Sequence, residues 1–323
     1  MKKIRAVAPF VHPNSINFKT APYEAWARLG GHTAPAHYPP RWAHALAYRL
    51  GLPTLPAMLR EAAARLTGAA GEARLRFVEP VSVRFDTFPD HALHEIVPMV
   101  WDCWPCHFGQ MCRWLEKHHV RAAVFTSSQT AERMRGRFPE MSILCITEGV
   151  DTSLYKEGKP LAGRTIDLLE FGRSNRRVFH SALPPAVNHV CTRQGGRPIY
   201  TNQQLFAAMA DARVTLCLPR CDTQPEVAGD IETLTQRYWE AMLSRMVIVG
   251  RAPRELTRLL GYDPVIPLDP RHPNAQIQDI LAHIADYQPL ADRNRAAALA
   301  HGGWEQRMRS VMEWLESLGY QTR

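Results

Sequence analysis

The chain has 323 residues, of which 46% are hydrophobic and 22% charged, and a net charge of +8. That is the composition of an ordinary soluble globular protein, long enough for two domains with separate cores. No run approaches the ~20 apolar residues that span a bilayer. Seven cysteines, an odd number at irregular spacing, do not make a disulfide framework. The opening Met1–Pro9 is basic, but its apolar stretch is too short for a signal peptide and reads as a strand. A cytoplasmic location is expected. Residues 1–147 hold 18 Lys+Arg against 11 Asp+Glu, whereas residues 148–323 hold 21 against 20. An N-terminal excess of +7 against +1 suits an anionic partner such as a lipid headgroup or a phosphate-bearing acceptor, with peripheral membrane contact as one form of it. An arginine-rich composition alone also accounts for the excess. The basic residues are scattered and not interleaved with aromatics, so no nucleic acid is expected.

In chain order, Ile4–Pro9 reads as a strand, Tyr23–Leu29 and Arg41–Leu50 as helices, and Ala57–Leu66 as an amphipathic helix. Leu75–Val83 reads as extended, broken by Pro80, and Ile96–Trp101 as a buried strand leading to a helix over Phe108–His118. Strands at Ala122–Phe125 and Ser142–Ile146 flank a helix at Thr130–Arg137. Thr147–Arg164 has turn residues without periodicity and reads as a linker. Beyond it the alternation resumes: strand Ile166–Phe171, helix Arg176–Ala182, strand Asn188–Cys191, helix Gln203–Asp211 and strand Val214–Leu218. A helix from Thr233, strand Val247–Val249, helix Pro253–Leu260 and strand Val265–Pro267 follow. Helices at Ala275–Asp286, Leu290–His301 and Gly303–Leu318 close the series. Strands separated by helices predict parallel α/β sheets, whose ligands sit outside the carboxyl ends of the strands.

Cys103-Trp-Pro-Cys106-His107 follows a strand and opens a helix. The pattern fits haem attachment, which requires export, or a thioredoxin-like redox pair; a zinc site lacks a second spaced pair. Free thiols packed at a strand-to-helix turn are the plainer reading.

Gly229 to Gly250 carries the densest signal. Thr233 stands three residues before Gln236, a capping-box spacing that predicts a helix start. Glu232 then lies just outside a helix N-terminus, where free N–H groups favour anions. Arg237 and Glu240 share one helical face, and Met246–Gly250 is a short buried strand. Two carboxylates beside a helix mouth fit sugar or ribose hydroxyls flanking a phosphate. A surface ion pair is the ordinary alternative for such charged residues.

The Glu232-x7-Glu240 spacing, with Thr235-Gln-Arg-Tyr-Trp-Glu240 as its local form, resembles the donor motif of GT-B glycosyltransferases of the family-4, group-1-like type. Ile166–Arg173, with its Gly172-Arg173 loop, is similar to the opening of that family's donor domain. Glu148-Gly-Val-Asp151 is similar to its domain crossing and Trp304-Glu-Gln-Arg307 to its closing helix. The resemblance covers roughly residues 145–318. It implies an α/β GT-B fold, two Rossmann-like domains facing across a cleft, with the C-terminal helix packing back toward the N-terminal domain. Residues 1–150 would bind the acceptor, 151–302 the nucleotide-sugar donor, and 303–323 would cross back. It further implies transfer of a sugar from a nucleotide-diphosphate sugar to an acceptor hydroxyl, with retention, in cell-surface glycan or natural-product synthesis. The acceptor would be a small molecule, a saccharide or a lipid-linked species.

By this resemblance Glu240 binds ribose hydroxyls and Glu232 those of the transferred sugar. Gly172, Arg173, Arg176, Arg177, Thr235 and Arg237 are expected at the diphosphate, although Arg237 could instead hold Glu240. Arg173, Glu232, His12 and Asp102 are candidates for the chemistry, and His12, Asn14, Trp104 and His107 for the acceptor. The family's Gly-Gly loop is missing after the first strand, where Pro9–Ser15 stands. No cofactor is expected beyond the nucleotide sugar, and no Asp-x-Asp metal motif stands out. A GT-B-shaped nucleotide-sugar-binding protein, an epimerase of the same fold and a thiol redox protein are the alternatives.

Overall fold

The computed structural model describes residues 1–9, 19–36, 71–172, 183–192 and 201–323, together with Trp42, Leu46, Arg49, Leu50 and Val178. The helix expected at 57–66, most of those at 41–50 and 176–182, and the site candidates His12, Asn14, Arg173, Arg176 and Arg177 lie outside the described residues.

Strands β1 (Lys2–Val7), β2 (Glu72–Val78), β3 (Glu95–Val100), β4 (Ala122–Phe125) and β5 (Ser142–Cys145) form a first parallel sheet with helices α1 (Ala21–Arg28), α2 (Pro105–Lys117) and α3 (Ser128–Arg137). A second parallel sheet holds β6 (Ile166–Glu170), β7 (His189–Cys191), β8 (Ala212–Cys217), β9 (Val247–Gly250) and β10 (Ile266–Pro267). Its order is β10-β9-β8-β6-β7, and its chain segment carries α4 (Asn202–Asp211), α5 (Gln236–Leu243), α6 (Arg254–Leu260), α7 (Pro273–Ala282) and α8 (Gln288–His301). Helix α9 (Trp304–Ser317) then returns to the first sheet, where β11 (Tyr320–Gln321) pairs with β1 and completes the order β11-β1-β2-β3-β4-β5.

Strand periodicity assigns side chains to the two faces of each sheet. Leu75, Phe77, Val97 and Met99 meet Trp26, Trp304 and Met308 on one face of the first sheet. Val78, Ile96 and Val100 meet Met111, Trp114 and Leu115 of α2 on the other. In the second sheet Leu169 and Ile248 face α5, and Leu168, Val214, Leu216 and Val249 face Ile277 and Ile280 of α7. Both faces are covered, so strands such as Ala122–Phe125 and Val247–Gly250 are apolar throughout and buried at every position.

The crossing between the halves is tightly built. Trp304 is 2% exposed and stacks on Trp101 at 5.6 Å. Arg307, buried, donates to the carbonyls of Thr147, His301 and Gly303 and to the Thr147 hydroxyl at 2.6–2.9 Å, with its guanidinium over Trp239. Burial lowers its pKa to about 10, so it stays charged at neutral pH. Val150 bonds to the Gly302 carbonyl at 2.9 Å. A Cβ on Gly149 would lie 3.0 Å from the Gly302 carbonyl oxygen and 3.1 Å from the Trp304 and Arg307 side chains, so a glycine at 149 lets the two crossing segments approach this closely. The Trp-x-x-Arg signature is thus a joint that holds both linkers.

Three local expectations change. Strand β2 ends at Val78 and Val83–Thr87 is a turn of helix, because Pro80 follows the last paired residue. The helix expected from Thr233 begins at Gln236, with Thr235 as N-cap and no side-chain capping bond from it. The cap comes from a distance: Glu148 Oε2 accepts from the Gln236 N–H at 3.1 Å, so no local capping box is required. The linker holds two short 3-10 turns, Thr152–Leu154 and Leu161–Gly163. No described helix is long and apolar enough to cross a membrane.

Candidate functional site

The site is built where β6 ends and α5 begins. β6 delivers Phe171 into the core and then exposes Gly172, whose φ of +75° lies in the left-handed region that glycine adopts without strain. A Cβ on Gly172 would also fall 2.6 Å from Nη2 of Arg237. The guanidinium of Arg237 therefore lies directly across this glycine, with Cζ 5.9 Å from the centre of the Phe171 ring. Among the described residues it has no hydrogen-bond or ion-pair partner. In particular it forms no ion pair with Glu240. The field of Arg237 favours the ionised form of that carboxyl from a longer range.

Glu240 lies one turn further along α5. Its Oε1 accepts from the Tyr155 hydroxyl at 2.8 Å. Burial pushes the Glu240 pKa above the usual carboxylate range, while the Tyr155 bond and Arg237 pull it down. Tyr155 comes from the segment between the sheets and packs edge-on to Phe206 of α4 at 5.1 Å. The same segment carries Glu148, whose carboxylate caps α5 and whose carbonyl accepts from Trp239 Nε1 at 2.9 Å. Sequence reasoning missed Glu148 and Tyr155 as parts of the site. The Glu-Gly-Val-Asp segment was the available signal for the first; nothing local marked the second.

Glu232 has a different setting. Its Oε1 meets Arg251 Nη1 at 2.5 Å and its Oε2 accepts from the Arg254 N–H at 3.0 Å, at the start of α6. Arg251 is held in turn by both oxygens of Asp222 at 2.7 and 2.8 Å. The backbone around Glu232 is docked on the first sheet's helix α3. Gln129 bonds to the Glu232 N–H at 2.7 Å and the Asp230 carbonyl at 3.1 Å, and Arg133 grips both Asp230 oxygens. Glu255 bridges the N–H groups of Ser128 and Leu234. Thr235, half-buried, sits between these two settings.

On the facing side, Asp102 follows β3 with a φ of +51°, a strained position for a residue with a Cβ. It borders a small cavity with Trp104, Thr126, Ser127, Thr130, Ile231 and Thr233, of about 10 Å³, room for one water. Trp104 is 3% exposed and packs with Ala228 and Ile231 of the second half, with Arg220 over its ring at 5.0 Å. In this arrangement it is an interdomain packing residue. His107 lies half-buried in the first turn of α2. Cys103 is buried, and burial pushes its thiol up to about 12, so at neutral pH it is a thiol and not the thiolate that a redox pair needs. Among the described residues no group of three His, Cys, Asp or Glu side chains could hold a metal ion.

The fold has counterparts among solved structures. HepE from Anabaena, solved with UDP-glucose, superposes with a TM-score of 0.61 at 12% identity, over 97% of this chain and 100% of that one. Sucrose-phosphate synthase from Thermosynechococcus elongatus gives 0.57 at 14% identity, over 98% and 99%. A glycosyltransferase from Rickettsia africae gives 0.54 at 8%, over 98% of both chains. The fold is GT-B. In this GT-B chain the strand ends at Val78, Val100 and Phe125 belong to one sheet and those at Glu170, Cys217 and Gly250 to the other. Gly172, Arg237 and Glu240 gather at the carboxyl end of β6, the edge where such sheets bind ligands. No protein-family model matches the chain, and no curated protein matches its sequence.

Proposed function

We propose that the protein transfers a sugar from a nucleotide-diphosphate sugar to an acceptor hydroxyl. The observation that carries this reading is Arg237: a half-buried cation with no anionic partner among the described residues, laid across a left-handed glycine at a strand end, beside a half-buried carboxylate. A diphosphate supplies the missing anion, and Glu240 Oε2, which has no protein partner among the described residues, accepts from a ribose hydroxyl. As the glycosidic bond breaks, charge builds on the leaving diphosphate and Arg237 stabilises it, joined in this reading by Arg173 with Arg176 or Arg177. Glu232 faces the transferred sugar; each of its oxygens keeps a lone pair beyond the bonds to Arg251 and Arg254. The UDP-glucose bound to HepE supports a nucleotide-sugar donor. In this reading residues 1–150 hold the acceptor, 151–302 the donor, and 303–323 form the returning helix. Retention, and a place in cell-surface glycan or natural-product synthesis, rest on the motif resemblance.

On the acceptor side the reading assigns His12, Asn14, Asp102 and His107 to the cleft, with Trp104 reaching it only when the domains separate. A groove of about 590 Å³ lined by Val81, Arg84, Gln110, Arg113, Lys117 and His118 has no carboxylate among the described residues of its wall and gives the N-terminal charge excess a place to hold an anionic acceptor. Calorimetry with UDP, ADP and GDP, and with the corresponding glucose conjugates, tests the donor half; release of glucose or a glycosylated product tests turnover. A nucleotide-sugar-binding protein without transfer is the second reading, favoured by the closed contact of residues 229–234 with α3. Tight binding with no hydrolysis and no transfer over any acceptor panel would select it.

A further inference from the structure

Tyr155 lies in the segment that joins the two sheets, not on the motif that carries Glu240, yet its hydroxyl is the one described hydrogen-bond partner of that carboxylate. It is buried, 8% exposed, and its ring is fixed against Phe206. Two consequences follow from the geometry. Oε1 of Glu240 carries the Tyr155 bond at 2.8 Å while Oε2 has no protein partner among the described residues, so Oε2 is the oxygen more open to a ligand, and the direction of its lone pairs is set by the Tyr155 contact. Glu148 of the same segment caps α5, so the joining segment sets both where the helix starts and how its carboxylate is turned.

We propose that Tyr155 is a positioning residue for nucleotide recognition: it holds the Glu240 carboxylate in the single orientation that reads a ribose diol. The proposal rests on the donor-site reading above and names the residue on which its ribose contact depends. A free carboxylate rotates between acceptor geometries and loses orientation entropy on binding; one anchored through Oε1 is already placed. The charged and titratable groups around Glu240 are Arg237 on its own helix, Cys217 at the end of β8, and Tyr155 with Asp151 behind it on the joining segment. Of these only Tyr155 and Arg237 favour the ionised carboxylate. Without the Tyr155 hydroxyl the half-buried group takes up a proton more readily, and a protonated Glu240 is a poorer acceptor for a diol.

The test compares wild type, Tyr155→Phe and Glu240→Gln by calorimetry between pH 5 and 8, using UDP, ADP and GDP and the 2′,3′-dideoxy form of whichever binds best. Phenylalanine fills the same space against Phe206, and melting curves verify folding. Tyr155→Phe should lose about tenfold in affinity at pH 7, the worth of one hydrogen bond to a charged group. Its preference for the ribose over the dideoxyribose form should shrink toward that of Glu240→Gln, and its affinity should fall away at a higher pH than in wild type. A packing role alone would move the melting curve and leave the ribose preference and the pH midpoint in place. If Glu240→Gln loses the ribose preference while Tyr155→Phe keeps both it and the wild-type pH profile, the Tyr155 assignment is wrong and the site reading stands. If wild type binds none of the three nucleotides, or Glu240→Gln binds them as wild type does, the site reading falls and this inference with it.

Discussion

Glu232 and Glu240 stand eight residues apart in one motif, and the structure gives them opposite surroundings. Glu232 is anchored through both oxygens, by Arg251 on one and the Arg254 N–H on the other, with a docked backbone on either side. Among the described residues Glu240 has a single hydroxyl partner, and it has a half-buried position and an arginine close by that does not pair with it. The first carboxylate helps to hold the protein together. The second is kept polar at a cost to the free protein, and a cost of that kind is most readily explained by a ligand that offsets it.

The sharpest way to break this contrast is Arg237→Ala. Since the guanidinium makes no hydrogen bond in the described structure, its removal should leave the melting temperature nearly unchanged. Nucleoside-diphosphate affinity should fall by about 3 kcal/mol, roughly a hundredfold, for loss of charge-assisted bonds to phosphate. Calorimetry alongside a melting curve reads both; a large loss of stability with normal affinity would reverse the assignment.

Glu240→Gln should weaken nucleotide binding by about 1.5–3 kcal/mol and change the pH dependence of stability in a defined direction. Burial raises the Glu240 pKa in the folded chain. Between the unfolded and the folded value the folded chain keeps a proton that the unfolded chain has released, so this group's contribution to stability falls as pH rises through that window. Glutamine abolishes that loss. The variant should therefore gain stability relative to wild type at pH 7 and lose the advantage toward pH 4, as denaturant titrations at both pH values would show.

Glu232→Gln should do the opposite at neutral pH. It loses an ion pair with a partly exposed Arg251 and weakens a helix-terminal bond, together about 1 kcal/mol after solvent screening. Unchanged thermal stability would mean that the clasp around residues 229–234 does not depend on the carboxylate. The smallest effect concerns the basic groove. Acceptor affinity should weaken about severalfold between 0.1 M and 1 M salt as the Debye length falls from ~10 to ~3 Å, and Arg113→Glu with Lys117→Glu should remove most of that dependence. Salt-insensitive acceptor binding would make the N-terminal charge excess compositional.

Much of the fold was legible because its strands are short apolar runs separated by helices, and that pattern survives without any tertiary information. The pairing of the first strand with the last was not legible. Tyr320–Gln321 is too short to show strand periodicity, and its place beside β1 is decided by the Trp304 and Arg307 joint. Helix α5 starts three residues later than the sequence predicts, since Thr233 and Gln236 have capping-box spacing while the actual cap, Glu148, is 88 residues away. Arg237 and Glu240 were legible as one helical face. Whether Arg237 pairs with Glu240 or is left for a ligand depends on where β6 puts Gly172, which spacing along α5 cannot reveal. Trp104 is expected at the acceptor, and in this arrangement Ala228 and Ile231 from the other half of the molecule pack over it, a contact that no local pattern reveals.

The pairing of Lys2 with Tyr320 has a consequence for how the chain acquires its shape. During vectorial synthesis, the first sheet emerges with an unpaired edge and with Trp101 uncovered. It stays so until the segment carrying α9 and β11 has left the ribosome, after the entire second sheet. The first half is thus exposed longest while least finished, the condition under which unpaired strand edges recruit one another. A fragment that stops before Trp304 should reproduce that interval indefinitely.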